Sequence, residues 1–344
     1  MATATRSATS YKVILGSQEL TQTENDGVES IVVEDHVDMV EMLTLRVNGV
    51  EGSPKWQAEI GAAVEVNMGA GSRTLFKGEI TALEPSWTMD GVAAITVRAL
   101  DNAHRLARGR KTRTFNDKTD ADIAKTVGAE SKLSVKADPT TETHVYTLQR
   151  NESNLTFLKR LAARNNFQVT VDEGTLHFKK ASMSTTPTKI TMGSNLRSLR
   201  MNFNSQDQVT KVIVRGWDIR KKQEIVGTAS SGDIETIGGG QAGASLSESK
   251  FGEQIAYITD VPVGSQAMAN DLAKAELNRL ARQFARGSCI VDGNDALYAG
   301  ALVEFEGLNM PHNGKYYIIS TRHVVSPTGG YTTELTFCGN TLGT

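Results

Sequence analysis

Apolar and polar residues alternate along 39–47: Leu43, Leu45 and Val47 are separated by Thr44 and Arg46. A period of two sends successive side chains to opposite faces, so this stretch predicts a strand with one buried and one wet face. Strand-like segments recur at 11–15, 30–33, 63–68, 73–83 and 93–100, with turn signals at Asn48-Gly49, Gly69-Ala70-Gly71 and Asp90-Gly91. Short strands joined by tight turns predict an antiparallel barrel or sandwich.

The period then changes. Thr119-Asp-Ala-Asp122 opens a helix: the Thr119 hydroxyl can accept from first-turn N–H groups, Asp122 can bond back, and the two aspartates suit the positive end of the helix dipole. A second helix start, Asn151-Glu-Ser-Asn154, precedes Leu155, Leu158, Leu161 and Ala162 at helical spacing. Strands at 167–171 and 175–178 meet across Asp172-Glu-Gly174, where glycine is free to take positive φ. The 112–180 segment therefore reads as helix–strand–helix–hairpin.

A second strand set follows from Leu196, clearest at 209–217 and 223–228, and resumes at 288–291, 302–306, 315–324 and 331–337. Between these strands, 229–249 is poor in apolar residues, holds Gly238-Gly-Gly240, and is expected to be a mobile loop. Residues 265–285 predict a helix whose Ala269, Ala273, Leu277, Leu280 and Phe284 form one apolar stripe, buried on the chain's own barrel or on a neighbouring subunit. The expected class is mainly β with α+β inserts: a flexible arm (1–10), a first antiparallel β-barrel module (11–111), an inserted α+β domain (112–190), a second barrel module (191–228 and 286–344), and a loop-and-helix insert (229–285).

Composition changes little. The 344 residues are 39% hydrophobic and 22% charged with a net charge of −2, which gives no global pull toward nucleic acid or an anionic membrane. No apolar run approaches the ~20 residues of a membrane-spanning helix, and the amino terminus lacks the apolar core of a signal peptide. Cys289 and Cys338 both sit in strand-like segments and read as buried free thiols.

Candidate chemistry is sparse. None of the six histidines pairs with another at i, i+4, and there is no Cys-x-x-Cys, so no zinc site is expected. His104 follows a strand and suits a structural hydrogen bond. Glu304 and Glu306 share a strand face and read as solvated, as does Glu34-Asp35. No nucleophile elbow or phosphate loop occurs. No catalytic residue, cofactor site or metal site is expected. The one local charge anomaly is the basic run of Arg105, Arg108, Arg110, Lys111 and Arg113, either a protein–protein contact or a solvated face. Without interleaved aromatics it gives little support to nucleic-acid binding. Arg105, Arg108, Arg110, Arg113, Leu277, Leu280 and Phe284 are the candidate subunit or partner contacts.

An ordered series carries a family resemblance: Leu100-Asp-Asn-Ala-His-Arg-Leu106, Thr112-Arg-Thr-Phe115, Thr119-Asp-Ala-Asp-Ile-Ala124, Asn151-Glu-Ser-Asn-Leu-Thr-Phe-Leu-Lys-Arg-Leu-Ala162, Gly174-Thr-Leu-His-Phe178, then His312 to His323 and Gly329 to Glu334. The series resembles the hub proteins of contractile tails: the phage late-control D family, the myophage baseplate hub, and the N-terminal part of type VI secretion spike proteins. The similarity covers roughly residues 30–340.

The resemblance implies tail-tube-like barrels and a structural virion component. It implies a homotrimeric adaptor joining the central spike to the sixfold inner tube inside the baseplate, with spike, tube and baseplate wedge proteins as partners. Synthesis in the bacterial cytoplasm and assembly into a phage tail, tailocin or extracellular injection system follow from it. Because the sequence stops just after the hub module, the spike is expected to be a separate polypeptide. Strands 39–47 and 331–337 are the expected edges for trimer closure. Two rivals remain: a cell-wall-degrading tail enzyme, which needs a carboxylate pair in a cleft, and a stand-alone β-barrel module for carbohydrate or receptor, which needs an exposed aromatic cluster. Trp56, Trp87 and Trp217 lie far apart in sequence.

Overall fold

A computed structural model describes residues 11–21, 27–48, 59–68, 74–89, 93–172, 174–180, 186–219, 221–309 and 311–343. The expected arm at 1–10, the Gly69-Ala70-Gly71 and Asp90-Gly91 turns, and Trp56 lie outside the described residues.

The first strands are β1 (Tyr11–Leu15), β2 (Gln18–Thr21), β3 (Val28–His36), β4 (Met42–Asn48), β5 (Ala63–Met68), β6 (Thr74–Trp87) and β7 (Ala93–Asp101). The alternation of β4 is realised: Leu43, Leu45 and Val47 are fully buried, and Arg46 faces solvent. With Val13, Val33, Val66, Phe76 and Val97 they form the first core.

After a short α1 (His104–Ala107) come β8 (Lys111–Thr119), α2 (Asp120–Glu130), β9 (Ser134–Ala137), β10 (Thr143–Glu152), α3 (Asn154–Arg164), β11 (Phe167–Asp172) and β12 (Thr175–Lys180). Thr119 caps α2 by accepting from the Asp122 N–H at 3.2 Å, and Ser153 caps α3 from Thr156 N–H at 3.1 Å. The return bond differs from expectation. The Thr119 hydroxyl donates to the Asp122 carboxylate at 2.8 Å. Gly174 takes φ +77° in the hairpin, as its turn requires. The basic run ends in β8, which pairs antiparallel with β10.

The remaining elements are β13 (Thr188–Thr191), β14 (Leu196–Phe203), β15 (Lys211–Asp218), β16 (Gln223–Ser230), β17 (Gln241–Ala242), α4 (Gly243–Phe251), β18 (Ile255–Ile258), α5 (Gln266–Ala281), β19 (Ala285–Asp292), β20 (Leu302–Glu306), β21 (Gly314–Ser326), β22 (Gly330–Gly339) and β23 (Thr341–Leu342). A second core lies under β19 to β22, where Phe305, Tyr316 and Phe337 interlock with centroids 5.0 to 5.6 Å apart.

The fold is mainly β, with two strand-rich halves and few helices, as expected. The halves are one curled sheet of 13 strands, ordered β14-β19-β22-β21-β3-β4-β7-β6-β5-β1-β2, with β20 and β13 branching from β21. The β3–β21 pair joins them. Three expectations need correction. Strands 331–337 and 39–47 are not edges: β22 is paired on both sides by β19 and β21, and β4 by β3 and β7. Among the described residues the sheet's open ends are β2, β14 and β13.

Second, β15 and β16 leave the large sheet and form a three-stranded sheet with β18. One face of that sheet is covered by α5, because Gly227 lets the helix approach: a Cβ there would meet the Ala269 backbone at 2.2 Å. Ala269, Ala273 and Leu277 are fully buried on Val212, Val214 and Ile225.

Third, 229–249 is not a loose loop. It contains β17, which pairs with β23, and most of α4. Ile237 is buried, and its N–H donates to Asn340 Oδ1 at 2.8 Å. A Cβ on Gly240 would meet the Leu342 carbonyl at 1.9 Å, so the glycine serves a close backbone approach. Low average hydrophobicity concealed a few well-placed anchors.

Candidate functional site

The basic run is spent largely inside the chain. Arg105 and His104 converge on Glu79 of β6: Arg105 Nε lies 3.2 Å and His104 Nε2 2.9 Å from Glu79 Oε2. Burial pushes Glu79 up, but the hydrogen bonds from Arg105 and His104 outweigh it and hold the carboxyl below its usual value. His104 thus has the structural role its position suggested. Arg113 reaches Glu130 at 2.6 and 2.7 Å and Gln149 at 2.8 Å, and lies over the Phe115 ring. Arg110 makes a 3.4 Å contact to the Asn151 carbonyl, and Arg108 is exposed.

The apolar candidates are interior. Leu277 is fully buried under α5, Leu280 is half-buried, and Phe284 lies just beyond the helix, buried against Phe203 at 5.8 Å. Cys289 and Cys338 are free and buried, and burial pushes their thiols up to about 12 and 11.

An ionic cluster locks the α+β insert. Asp120, 1% exposed at the start of α2, accepts from Arg164 Nε and Asn165 Nδ2, both at 2.7 Å, and His144 Nε2 lies 3.5 Å away. Burial alone would raise its carboxyl, but hydrogen bonds from His144 and Arg164 pull it down to about 2. The insert is tied to the large sheet through Gln168, whose Oε1 accepts from the Tyr317 hydroxyl at 2.8 Å, and through Lys159, which donates to the Asp38 carbonyl.

Where this insert meets α5 and the second half of the sheet, a cleft of about 1140 Å³ opens. Six arginines line it: Arg150, Arg160, Arg164, Arg279, Arg282 and Arg286. Three are neutralised: Arg160 by Glu152 and Arg279 by Glu276, each at 2.7 Å, and Arg164 by Asp120. That leaves Arg150, Arg282 and Arg286 facing the remaining lining carboxylate, Asp38. The Arg282 guanidinium sits 3.5 Å from Asn166 Oδ1, and its buried Nε has no hydrogen-bond partner among the described residues. Such a group is rare in a folded protein and calls for an explanation. Sequence reasoning missed these three arginines because β10, the end of α5 and β19 come together only in the fold. The 279–286 run, with Arg279, Arg282 and Arg286, was the one local signal.

Carboxylates do share a cleft: Asp35, Glu41, Asp101 and Asp172 line one of about 290 Å³. The exposed aromatic cluster that a binding module needs is not assembled among the described residues. Trp217 and Tyr257 are exposed on the three-stranded sheet, but Tyr257 registers with Ile213, well along β15 from Trp217, and Trp87 stands on β6. No described helix is long and apolar enough to cross a membrane.

Comparison with known proteins bears out the hub resemblance. The chain is 28% identical over 185 residues to a probable baseplate hub protein of Escherichia phage 186, the match covering 52% of this chain and 47% of the relative, so it spans about half of that protein's length. Its fold matches the 43 kDa tail protein of prophage MuSo2 from Shewanella oneidensis with a TM-score of 0.71 at 16% identity, covering 96% of this chain and 98% of that one. A tail protein of Neisseria meningitidis gives the same TM-score at 13% identity, covering 96% and 97%. An Escherichia coli type VI secretion component with structural similarity to phage T4 tail proteins gives 0.63 at 12% identity, covering 92% and 74%. The relatives so named are tail and baseplate components. The sequence pattern of one family, described as the Alg8 N-terminal domain, matches residues 6–327, and the chain belongs to that family.

Proposed function

We propose that this protein is the structural hub of a contractile injection device: a homotrimeric adaptor that joins the central spike to the sixfold inner tube within the baseplate. The observation that carries this reading is the pair of strand-rich halves fused into one curled sheet. Three copies of a two-barrel chain present six barrels to a sixfold tube and three faces to a threefold spike. The full-length structural similarity to tail proteins supports it. The partners are the chain itself, a spike protein, the inner-tube protein and baseplate wedge proteins. The chain works as a scaffold rather than as an enzyme. Ring closure uses the open sheet ends β2 and β14, whose outer edges have no strand partner among the described residues and invite a neighbour.

Assembly of particles without this chain tests the reading. Electron micrographs should then show no complete tails, only unattached baseplate parts or aberrant sheath. Normal tails would refute it. Incubation with purified peptidoglycan should release no muropeptides; their release would overturn the scaffold assignment.

A further inference from the structure

We infer that the arginine-lined cleft between α3, α5 and β19 is a docking site for an acidic, partly apolar segment of a partner protein. The cleft holds three guanidinium groups without a carboxylate mate among the described residues, on β10, just past α5 and on β19, in a chain whose net charge is −2. Its positive potential is therefore local and built. The exposed Arg150 and Arg286 set the chemistry of the guest, since a carboxylate is the acceptor that a guanidinium fork fits bidentately in such a cleft. The wall beside them is apolar, with Leu148, Pro262, Met268 and Leu272. A guest must then carry carboxylates and aliphatic side chains together.

Size and shape select a polypeptide. At about 1140 Å³ the open cleft exceeds the ~300–1,000 Å³ of small-molecule sites. Arg150, Arg282 and Arg286 sit on β10, just past α5 and on β19, which suits an extended chain touching them in succession better than one compact anion. Nucleic acid is disfavoured because stacking needs a series of exposed rings, and Tyr146 is the exposed aromatic of the lining. The partner's being a protein rests on the hub reading. The measurement uses the isolated chain, so its failure leaves the copy number in the particle untouched.

The test is fluorescence anisotropy with a short fluorescein-labelled peptide of alternating Glu and Leu, against its Gln–Leu counterpart, an oligothymidylate of matching charge, and inorganic phosphate as competitor. The Glu–Leu peptide should bind at least about tenfold more tightly than the Gln–Leu peptide, and more weakly as salt rises. The double variant Arg150→Ala, Arg286→Ala should lower its affinity about tenfold or more. Both side chains are exposed and without a side-chain partner among the described residues, so the fold should be kept, which circular dichroism checks. Arg282→Gln should weaken binding further. Equal binding of the two peptides, or no effect of the double variant in a folded chain, would overturn the proposal. So would tighter binding of the oligothymidylate, or displacement of the peptide by low millimolar phosphate. Self-association on the same face, lost in the double variant with no peptide binding in the parent, would assign the cleft to a second copy instead.

Discussion

Replacing Asp120 by Asn should loosen the α+β insert and leave the large sheet untouched. The substitution keeps the volume and removes the charge that Arg164, His144 and Asn165 all address. A carboxyl pulled from 3.8 to about 2 corresponds to roughly 2.5 kcal/mol of stability. Arg164, with a side chain only 20% exposed, would lose its carboxylate mate and add to the loss. An expected cost of about 3 kcal/mol follows. Because the folded pKa is depressed, this contribution is present above about pH 3.8 and is lost as pH falls toward 2. Native-state hydrogen exchange reads it element by element. In the variant, amides of α2 and α3 should lose about 3 kcal/mol of protection at neutral pH, and those of β4 and β7 nothing. The parent should lose most of that increment on acidification through the same window, and the variant should not. Protection in α2 and α3 within about 0.5 kcal/mol of the parent would refute the lock.

Other outcomes follow from the same packing. Leu277→Asp buries an unpaired charge between α5 and β16 and should lower stability by several kcal/mol, read from the melting curve; an unchanged melt would show the stripe is not buried. The native chain should resist iodoacetamide at Cys289 and Cys338 until it is denatured, and rapid labelling would contradict their burial. Asp101 is buried, accepts from the Ala103 N–H at 3.0 Å, and has its carboxyl pushed up to about 7 by burial. The folded group keeps its proton where the unfolded one has lost it, so its contribution favours the folded state at low pH and declines as pH rises from 3.8 to about 7. Carbon-13 NMR should show its midpoint near 7, and a midpoint near 4 would contradict that burial.

What the sequence revealed follows from how far each signal reaches along the chain. The β4 alternation and the Thr119 and Ser153 caps are local, and each was legible to within a few residues. The α5 stripe was legible too, since helical spacing fixes which side chains share a face. Pairing partners were not. Nothing in 331–337 or 39–47 says that β21 and β3 will flank them, so both looked like edges. Residues 229–249 misled because their stability comes from distant groups, Asn340 and Leu342. The cleft was invisible for the same reason: Arg150 and Arg286 are far apart in sequence, and only the fold sets them on one surface.

The most direct test of the hub assignment is a reconstruction of the assembled particle at the level where tube meets spike. Three copies of this chain should form a closed ring, with six barrel-like halves facing the tube and three faces holding the spike. One copy, six copies, or density at that level that this chain does not fit would contradict it.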